Sequence, residues 1–354
     1  MEVSHNIQTA QNSPKSLGYH FPAEWEKHEA TWLTFPWCDD SFPGKMNAIL
    51  PSYMHFVKTI SLGEKVRINV NDLTIKTKVE ELIQKYAIDP TQIELFFHSS
   101  DDVWCRDHGP SFVINNHLAE RKAIVDWGFN AWGGKYPSEN DNNIPSQIAE
   151  SFKLPMFKPG IFMEGGSVDF NGKGTVLTTE ACLLNENRNP HLSKKQIEQY
   201  LVDYYGVENI LWLNDGIEGD DTDGHVDDIT RFVNEDTVVT AIETSMSDAN
   251  YMPLKINRHK LSKMHLENGK QLNVVELPMP HKVIHNGRRL PASYANFYIC
   301  NHAVIVPMFG CKADNKAVDI ISTLFPDRKV VGIDSVDIVW GFGSFHCLSQ
   351  QEPV

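Results

Sequence analysis

Residues Ser167 to Thr179 read SVDFNGKGTVLTT, with alternating apolar and polar residues on both sides of the pair Asn171-Gly172. Alternation with a period of two is typical of a strand with one buried face, and Asn-Gly between two such runs favours a tight hairpin turn. The stretch therefore predicts two antiparallel strands. A helix-like segment, Lys194 to Tyr205, and a strand-like run, Ile210 to Leu213, follow it in the chain.

The same order of hairpin, helix and strand recurs along the chain. Hairpins are predicted at Phe112 to Trp127, Ser167 to Thr179, Ile229 to Ile242 and Phe297 to Phe309. The helices that follow them are Ile144 to Phe152, Lys194 to Tyr205, Leu254 to Asn268 and Asn315 to Phe325. The final strands are Pro155 to Phe162, Ile210 to Leu213, Leu272 to Leu277 and Val330 to Ile333. The hairpins start at residues 112, 167, 229 and 297, so the starts are 55, 62 and 68 residues apart. This loose period indicates a repeated supersecondary unit.

A fifth unit can be assembled from the two ends of the chain. It requires Ser344 to Ser349 to pair with Ala30 to Phe35, and it continues with the helix Asn47 to Leu62 and the strand Val66 to Val70. Such a pairing closes the repeats into a ring and removes the open sheet edge, as in propeller-like folds. One extra helix and one extra strand are predicted before the second unit, at Ile75 to Tyr86 and Ile93 to Phe97.

Domain organisation follows from the absence of a linker in the sequence. No stretch rich in Pro, Gly or Ser and no low-complexity tract interrupts the repeats. We therefore expect an α/β fold in which residues 21–354 form one domain, preceded by a polar arm of residues 1–20. Ring closure makes a single domain of this length reasonable.

Composition excludes several classes of function. The chain has 32 Lys plus Arg and 46 Asp plus Glu, which gives a formal charge of −14 and argues against a nucleic-acid-binding surface. With 41% hydrophobic and 22% charged residues, it is expected to be a globular protein with a sizeable core. We find no run of about 20 apolar residues and no signal-peptide pattern, and expect a cytoplasmic protein that does not bind a membrane. The six cysteines lack metal-binding spacing and are expected to be free thiols.

Unusual polar clusters stand immediately before the predicted hairpins and in the predicted closing strand. They are Asp102 to Pro110, Met163 to Ser167, Gly219 to Asp228 and Gly341 to Cys347. Equivalent positions of a ring of repeats converge near its axis. We therefore expect a cysteine, a histidine and several carboxylates to meet at one end of the fold.

Two metal-binding interpretations apply to the acidic stretch Gly219 to Asp228. A calcium loop with Gly224 in its sixth position would need Asp first and Glu twelfth, where the chain has Gly219 and Thr230, so this interpretation fails. A zinc site built on His225, with Asp ligands and Cys347 as a third, stays open, although no second histidine at a suitable spacing supports it.

A nucleophilic cysteine accounts for the clusters better than a metal does. Cys347 follows a glycine-rich segment, in which the missing side chains let another backbone or a ligand come close. A thiol becomes a good nucleophile beside a cation, here protonated His225 or a cationic substrate. His346 would point to the opposite face of the predicted strand, which makes it a poor general base for its neighbour.

The carboxylates indicate what the cysteine acts on. Asp107, Asp227 and Glu164 would repel a thiolate unless a cation lies among them. A planar guanidinium is the group that two carboxylates bind with paired hydrogen bonds. The residues therefore point to chemistry on an arginine-like substrate.

Seven segments of the chain carry a family resemblance. They are Phe21–Glu26, Trp104–Pro110, Glu164–Ser167, Leu177–Pro190, Gly224–Asp227, Ala292–Tyr298 and His346–Pro353. In these segments the chain resembles agmatine deiminases and the related bacterial peptidyl-arginine deiminases, members of the guanidino-group-modifying (pentein) superfamily. Because the motifs are ordered and run from residue 21 to residue 353, the resemblance covers nearly the whole chain.

The resemblance implies a five-bladed α/β-propeller of ββαβ-type repeats. It implies hydrolysis of agmatine to N-carbamoylputrescine and ammonia, a step of polyamine synthesis, through a covalent S-alkylthiouronium. The resemblance implies no metal and no organic cofactor. It also implies a homodimer. By the resemblance, Cys347 would be the nucleophile and His225 the acid/base. Asp107 and Asp227 would bind the guanidinium nitrogens. Glu164 would assist His225 or help to orient the substrate, and Trp104 would form a wall of the pocket.

The chain departs from the family pattern beside the nucleophile. In the family, the segment before the His-Cys pair commonly reads Gly-Gly-Gly-Asn. This chain has Phe342 in place of a Gly and Ser344 in place of the Asn. This difference leaves the part of the pocket around the substrate's tail undetermined. The alternatives are deimination of free or peptidyl arginine to citrulline and, in a different class, a non-catalytic propeller that binds partners.

Overall fold

Five small β-sheets with one shared topology form the framework of the structure, a computed structural model that describes residues 12–37, 39–118 and 121–354. In each sheet the first two strands are antiparallel, a helix follows, and the third strand is parallel to the second. The fold is therefore α/β, and the four hairpins predicted within the chain are confirmed by their strand pairings.

The strands of the second to fifth sheets are bounded as follows. They are Ser111–Ile114, Lys122–Val125 and Met156–Phe157; Val168–Phe170, Thr175–Thr179 and Asn209–Leu213; Thr230–Asn234, Thr237–Ile242 and Asn273–Pro278; and Tyr298–Ile299, Ala303–Met308 and Lys329–Asp334. Their connecting helices are Ile144–Phe152, Lys194–Tyr205, Tyr251–Leu261 and Ala313–Leu324.

The first sheet takes strands from both ends of the described chain. Its order is Ser349–Pro353, His28–Thr34, Lys65–Asn69 and Ile93–Phe96, with the helices Met46–Ser61 and Leu73–Lys85 between strands. Outside the five sheets, a small hairpin joins Ile284–His285 to Arg288–Arg289, and short helices occupy Cys105–His108, Ala131–Gly134 and Glu180–Leu183.

The prediction for the closing strand was wrong in position. The strand that pairs with His28–Thr34 is Ser349–Pro353, antiparallel, with Leu33 opposite Ser349. Residues 344–348 cannot join it because their backbone forms local turns: Leu348 N–H donates to Ser344 O at 3.1 Å, and Ser349 N–H donates to His346 O at 3.0 Å. Cys347 therefore lies in a turn before the strand.

Two further boundaries differ from the prediction. The helix expected at Leu254 to Asn268 ends at Leu261, because Leu266 N–H donates to Lys270 O at 2.8 Å and Gly269 adopts a left-handed φ of 77°. The strand expected at Pro155 to Phe162 is reduced to Met156–Phe157.

Helix Lys194–Tyr205 shows how a connecting helix begins, ends and buries one face. Ser193 and Gln196 form a capping box at its start, and Gly206 ends it with a φ of 72°. Its buried residues, Ile197, Leu201 and Tyr205, recur every four positions and so lie on one face. Burial of each such side chain contributes roughly 1.5–3 kcal/mol.

The expected N-terminal arm is only partly described, because residues 1–11 lie outside the described ranges, as does Cys38. Lys15–Leu17 form a 3-10 helix, and Lys15 Nζ donates to Val207 O at 2.9 Å. The domain boundary at residue 21 stays a prediction. No helix in the described part of the chain has the length and apolar character needed to cross a membrane.

Candidate active site

A polar segment precedes the first strand of each of the five sheets, and these segments converge. The residues they supply are Asp107, Glu164, His225 with Asp227, Asn296, and Cys347, in the order of the second, third, fourth, fifth and first sheets. All of them are buried. The repeated topology thus brings together residues that lie up to 240 positions apart in the chain, from Asp107 to Cys347.

Cys347 is surrounded by an amide and a carboxylate. Its Sγ lies 3.0 Å from Nδ2 of Asn296 and 3.5 Å from Oδ2 of Asp227. Burial, and then the negative charge of Asp227, raise the pKa of the thiol well above its usual value. Cys347 is therefore a neutral thiol until a cation enters the site.

Asp107 is held by two donors. Its Oδ1 accepts a hydrogen bond from Gly166 N–H at 2.9 Å, and its Oδ2 accepts one from Nε1 of Trp132 at 2.9 Å. Burial raises the pKa of Asp107 to about 6, with Asp227 adding to the effect and His225 opposing it.

Gly166 permits the close approach of three functional groups. A Cβ atom at this position would lie 2.6 Å from Nδ1 of His225, 2.9 Å from Oδ1 of Asp107 and 3.1 Å from Oδ2 of Asp227. All three distances are shorter than ordinary van der Waals contact, so any side chain at residue 166 would displace these groups.

His225 lies between two carboxylates without a hydrogen bond to either. Its Nδ1 is 3.7 Å from Oδ1 of Asp107, and its Nε2 is 3.9 Å from Oε2 of Glu164. Burial alone lowers the pKa of His225, but Asp107, Cys182 and Glu164 outweigh it and raise the pKa well above the usual value. His225 is therefore protonated in the resting site.

Glu164 is fixed by an arginine. Arg188 Nε donates to Oε1 of Glu164 at 2.6 Å, while Oε2 has no partner. Burial favours protonation of Glu164, but the charge of Arg188 outweighs it and lowers the pKa.

The residues around His225 fit a metal ion poorly. Among the described residues, one group of possible ligands occurs, in which atoms of Glu164, Cys182 and His225 lie within 4.8 Å of one another. Cys347, the third ligand in the alternative zinc interpretation, is not in this group. Since Arg188 already pairs with Glu164, a cation there would face a fixed positive charge.

The acidic stretch before His225 stabilises its own loop through hydrogen bonds from backbone N–H groups to a side-chain carboxylate. Asp220 Oδ2 accepts the N–H groups of Gly224 and His225 at 2.9 and 3.1 Å, which fixes the backbone that carries the histidine. This local use of a carboxylate is typical of an Asp-initiated turn.

A cavity of about 200 Å³ leads to Cys347 and Asp107. Trp104 and Trp132 line it, together with Tyr136 and Phe342. A Cβ at Gly343 would lie 2.6 Å from the Trp104 ring and 3.0 Å from Cβ of Cys347, so the glycine lets the indole pack against the cysteine segment.

The two departures from the family pattern have different surroundings. Phe342 lines the cavity with a left-handed φ of 71°, and the guanidinium carbon of Arg288 lies 4.2 Å from the centre of its ring. Arg288 also pairs with Asp221 at 2.9 Å. Ser344 is buried, and its Oγ lies 2.6 Å from Oγ of Ser335.

Several residues of the site were missed in the sequence. Asn296 stands directly before the predicted hairpin Phe297 to Phe309, so the rule that located the other clusters would have found it. Trp132 carried no such signal, because its left-handed φ of 56° and its contact with Asp107 depend on tertiary structure. His346 was set aside as a strand residue, but it lies in a turn with Nδ1 2.6 Å from Oδ2 of Asp227.

Comparison with known proteins agrees with this geometry. The family model of Porphyromonas-type peptidyl-arginine deiminases matches residues 20–353. A protein of Legionella pneumophila, named as a candidate agmatine deiminase, is 38% identical over 352 residues, which cover 98% of each chain.

Two solved structures are similar over nearly their whole length. The agmatine deiminase of Enterococcus faecalis is 35% identical, with a TM-score of 0.89 over 97% of this chain and 98% of that one. A cysteine-to-serine variant of the C. jejuni agmatine deiminase with substrate bound is 34% identical, with a TM-score of 0.86 over 94% of this chain and 96% of that one.

Proposed function

Because the chain belongs to the family of Porphyromonas-type peptidyl-arginine deiminases, we propose that it hydrolyses the guanidinium group of agmatine to give N-carbamoylputrescine and ammonia. The enzyme is then a hydrolase of C–N bonds in linear amidines. The substrate-bound C. jejuni relative supports a small guanidino substrate.

The charge of the cavity lining is the observation that favours agmatine over arginine. The lining carries the five carboxyl groups of Asp40, Asp101, Asp102, Asp107 and Asp221, whereas none of the described lining residues is Lys, Arg or His. Agmatine has a cation at each end, which suits this lining. The α-carboxylate of arginine would have no cationic partner among these residues and would meet negative charge.

The buried carboxylates account for substrate binding and for activation of the thiol. Asp107 and Asp227 hold the guanidinium nitrogens, and Oδ1 of Asp227 is buried without a partner in the resting site. The bound cation offsets the carboxylate charges that keep Cys347 protonated. The thiolate therefore forms when its target is in place.

The reaction proceeds in two covalent steps. Sγ of Cys347 bonds to the guanidinium carbon, protonated His225 gives a proton to the leaving nitrogen, and the C–N bond breaks to release ammonia. Water then gives one proton to His225 as its oxygen bonds to the S-alkylthiouronium carbon. The C–S bond breaks with its electron pair on sulfur, and the second proton of the water passes to the sulfur, which gives the ureido product and restores the thiol. One oxygen has replaced one nitrogen, and Glu164 orients His225 throughout.

Trp104 packs along this path as a wall of the cavity. It limits the space beside Cys347 and excludes water from the thiouronium until ammonia has left.

The five sheets form a five-bladed α/β-propeller in this proposal. The support is the shared topology of the sheets and the pairing of Ser349–Pro353 with His28–Thr34. The homodimer and the cytoplasmic location implied by the resemblance and composition stay predictions, which sedimentation velocity and cell fractionation would test.

Ammonia release measured with three substrates tests the proposal. The wild type and Cys347→Ala are compared on agmatine, free arginine and a blocked arginine peptide. We expect release from agmatine in the wild type only, with Cys300→Ala, a second buried thiol, as a matched control that stays active. Preference for the arginine peptide would replace the agmatine assignment, equal activity of Cys347→Ala would refute the covalent mechanism, and no release from any substrate would favour a binding module.

A further inference from the structure

Glu24 and His346 belong to sequence motifs that the proposed chemistry leaves without a role. They are 322 residues apart, yet Nε2 of His346 lies 2.8 Å from Oε2 of Glu24. The other ring nitrogen, Nδ1, lies 2.6 Å from Oδ2 of Asp227. Since His346 is 2% exposed and both carboxylates are buried, solvent does not weaken these contacts.

The two contacts determine how the imidazole is protonated. Burial raises the pKa of Glu24, but Arg231, His346 and Arg106 outweigh it and hold the pKa well below the usual value. Both ring nitrogens of His346 lie at hydrogen-bond distance from a carboxylate oxygen. Because an ionised carboxylate only accepts hydrogen bonds, a proton on each ring nitrogen lets His346 donate to Glu24 and Asp227 at once.

Fixed groups around the pair stabilise this arrangement. Glu24 lies 3.2 Å from Nη2 of Arg106 and 3.0 Å from Nη2 of Arg231, and its Oε1 accepts Ile299 N–H at 2.8 Å. Arg231 also pairs with Asp169 at 2.8 Å. With a charged His346, three cations therefore face three carboxylates.

The remaining titratable neighbours do not disturb this balance. Burial, together with the charge of Asp227, raises the pKa of Asp228 well above its usual value, so Asp228 is an uncharged acid. Cys347 is a neutral thiol for the reason given above.

We propose that His346 is a positioning residue, an imidazolium that links Glu24 to Asp227 and presets Asp227 as an ionised ligand for the guanidinium. The inference rests on the proposed function. His346 occupies Oδ2 of Asp227 and leaves Oδ1 free for the substrate. It exchanges no proton with the substrate.

The same residue ties the carboxylate to the nucleophile. His346 and Cys347 are neighbours in the chain, and Arg106 N–H donates to the carbonyl oxygen of Cys347 at 3.0 Å. Arg106 Nε donates to the carbonyl oxygen of His346 at 3.3 Å. Rotation of the imidazole away from Asp227 would therefore disturb the position of Sγ relative to the guanidinium carbon.

The charge of the imidazole is tested first, independently of any substrate. Nitrogen NMR of the ¹⁵N-histidine-labelled wild type, with the His346 signals assigned by their loss in His346→Gln, reports whether both ring nitrogens are protonated. We expect a proton on each ring nitrogen, as the two carboxylate contacts require. A neutral ring would overturn the proposal whether or not agmatine is the substrate.

The pH profile of kcat/KM for agmatine tests the positioning role. Without the contact from His346, the burial of Asp227 is less strongly opposed and its pKa rises, so a second carboxylate joins Asp107 on the acid limb. We expect the acid limb of His346→Gln to steepen from a slope near one towards two, and KM at pH 6 to rise about tenfold or more while kcat changes less.

Two further variants keep this test decisive. Glu24→Gln removes the far carboxylate and should produce a weaker change of the same kind, even if His346→Gln fails to fold. His98→Gln alters another buried histidine, whose Nδ1 contacts Asn69 Oδ1 at 2.9 Å, and should leave the profile unchanged. Profiles of His346→Gln or Glu24→Gln that superimpose on the wild type would overturn the proposal.

Discussion

Asn296 holds Cys347 at two points: its Nδ2 lies 3.0 Å from Sγ, and its Oδ1 accepts the backbone N–H of Cys347 at 3.3 Å. The same Nδ2 also donates to Oδ1 of Asp228 at 3.0 Å. One amide therefore sets both the backbone of the nucleophilic turn and the direction of the thiol. It can also stabilise the thiolate once the substrate cation has entered.

Replacement of this amide should impair catalysis more than folding. In Asn296→Ala, Sγ of Cys347 and the backbone of the turn lose their donor and acceptor. We expect kcat/KM for agmatine to fall about 10- to 100-fold, the effect of one or two lost hydrogen bonds to a charged group. Steady-state kinetics, normalised to the folded fraction from circular dichroism, measures the change.

Asn257→Ala is a matched control for this prediction. Asn257 is also fully buried, accepts Asn214 N–H at 2.9 Å and donates to Asp215 O at 2.8 Å, but it lies outside the site. It should lose stability and keep its activity per folded molecule. Activity of Asn296→Ala within twofold of the wild type would contradict the role given to Asn296.

The high pKa of Cys347 predicts selective alkylation by cations. 2-Chloroacetamidine carries an amidinium that Asp107 and Asp227 can bind, whereas chloroacetamide has the same reach and no charge. Because the amidinium also favours the thiolate, we expect it to inactivate the enzyme about 100-fold faster at pH 7. Peptide mass spectrometry at timed intervals measures modification of Cys347.

Cys311 serves as an internal reference in that experiment. It is only partly buried and lies outside the cavity lining, so both reagents should modify it at similar rates. Agmatine should protect Cys347 and leave Cys311 unprotected. Equal rates of the two reagents at Cys347 would show that the carboxylates do not activate the thiol.

The raised pKa of Asp107 predicts loss of substrate binding in mild acid. Burial raises this pKa to about 6, so Asp107 is ionised above pH 6 and becomes neutral as the pH falls through that value. We expect kcat/KM for agmatine to fall towards tenfold per pH unit below pH 6. The acid limb of kcat should lie lower, because a bound guanidinium favours the ionised carboxylate.

Rate measurements from pH 4.5 to 8 check whether the acid limb of kcat lies at lower pH than the acid limb of kcat/KM. They are made after confirming that the protein stays folded over this range. A value of kcat/KM that does not change between pH 5 and 7 would exclude Asp107 as a titrating ligand.

We expect Phe342 to limit the size of the group that the substrate can carry on its tail. Its left-handed backbone costs roughly 1–2 kcal/mol in a residue other than glycine, and its ring fills space in the cavity lining. In Phe342→Gly we expect the kcat/KM ratio of a blocked arginine peptide to agmatine to rise about tenfold or more, because the cavity widens. Competition between the two substrates measures this ratio directly.

Asn286→Gly is a control that relieves a left-handed backbone without widening the cavity. Asn286 has a left-handed φ of 47° but is exposed and does not line the cavity. It should leave the ratio unchanged. An unchanged ratio in Phe342→Gly would show that another group limits the tail.

The sequence predicted the repeated elements better than their junctions. Alternating runs and polar turns were sufficient for the four internal hairpins, because both signals are local. The helix after the predicted hairpin Ile229 to Ile242 was predicted to end seven residues too late, because a turn closed by Leu266 and Lys270 interrupts it. The closing strand was misplaced because the turn around Cys347 depends on long-range contacts such as Asn296.

The residues of the site were predictable where they recur at equivalent positions of the repeat. Asp107, Glu164, His225, Asp227 and Cys347 all precede a first strand. The groups that fix them, such as Arg188 on Glu164 and Trp132 on Asp107, come from connecting segments with no repeated position. Their contacts arise only in the folded chain.

The pairing of Ser349–Pro353 with His28–Thr34 has a consequence for the order in which activity arises. During synthesis, the carboxylates and His225 emerge well before Cys347, which precedes the last strand by two residues. The N-terminal strand has to wait for a partner more than 300 residues away, a contact whose closure is slow. The segment that completes the first sheet therefore also carries the proposed nucleophile, so under the proposed mechanism a partly synthesised chain cannot consume its substrate.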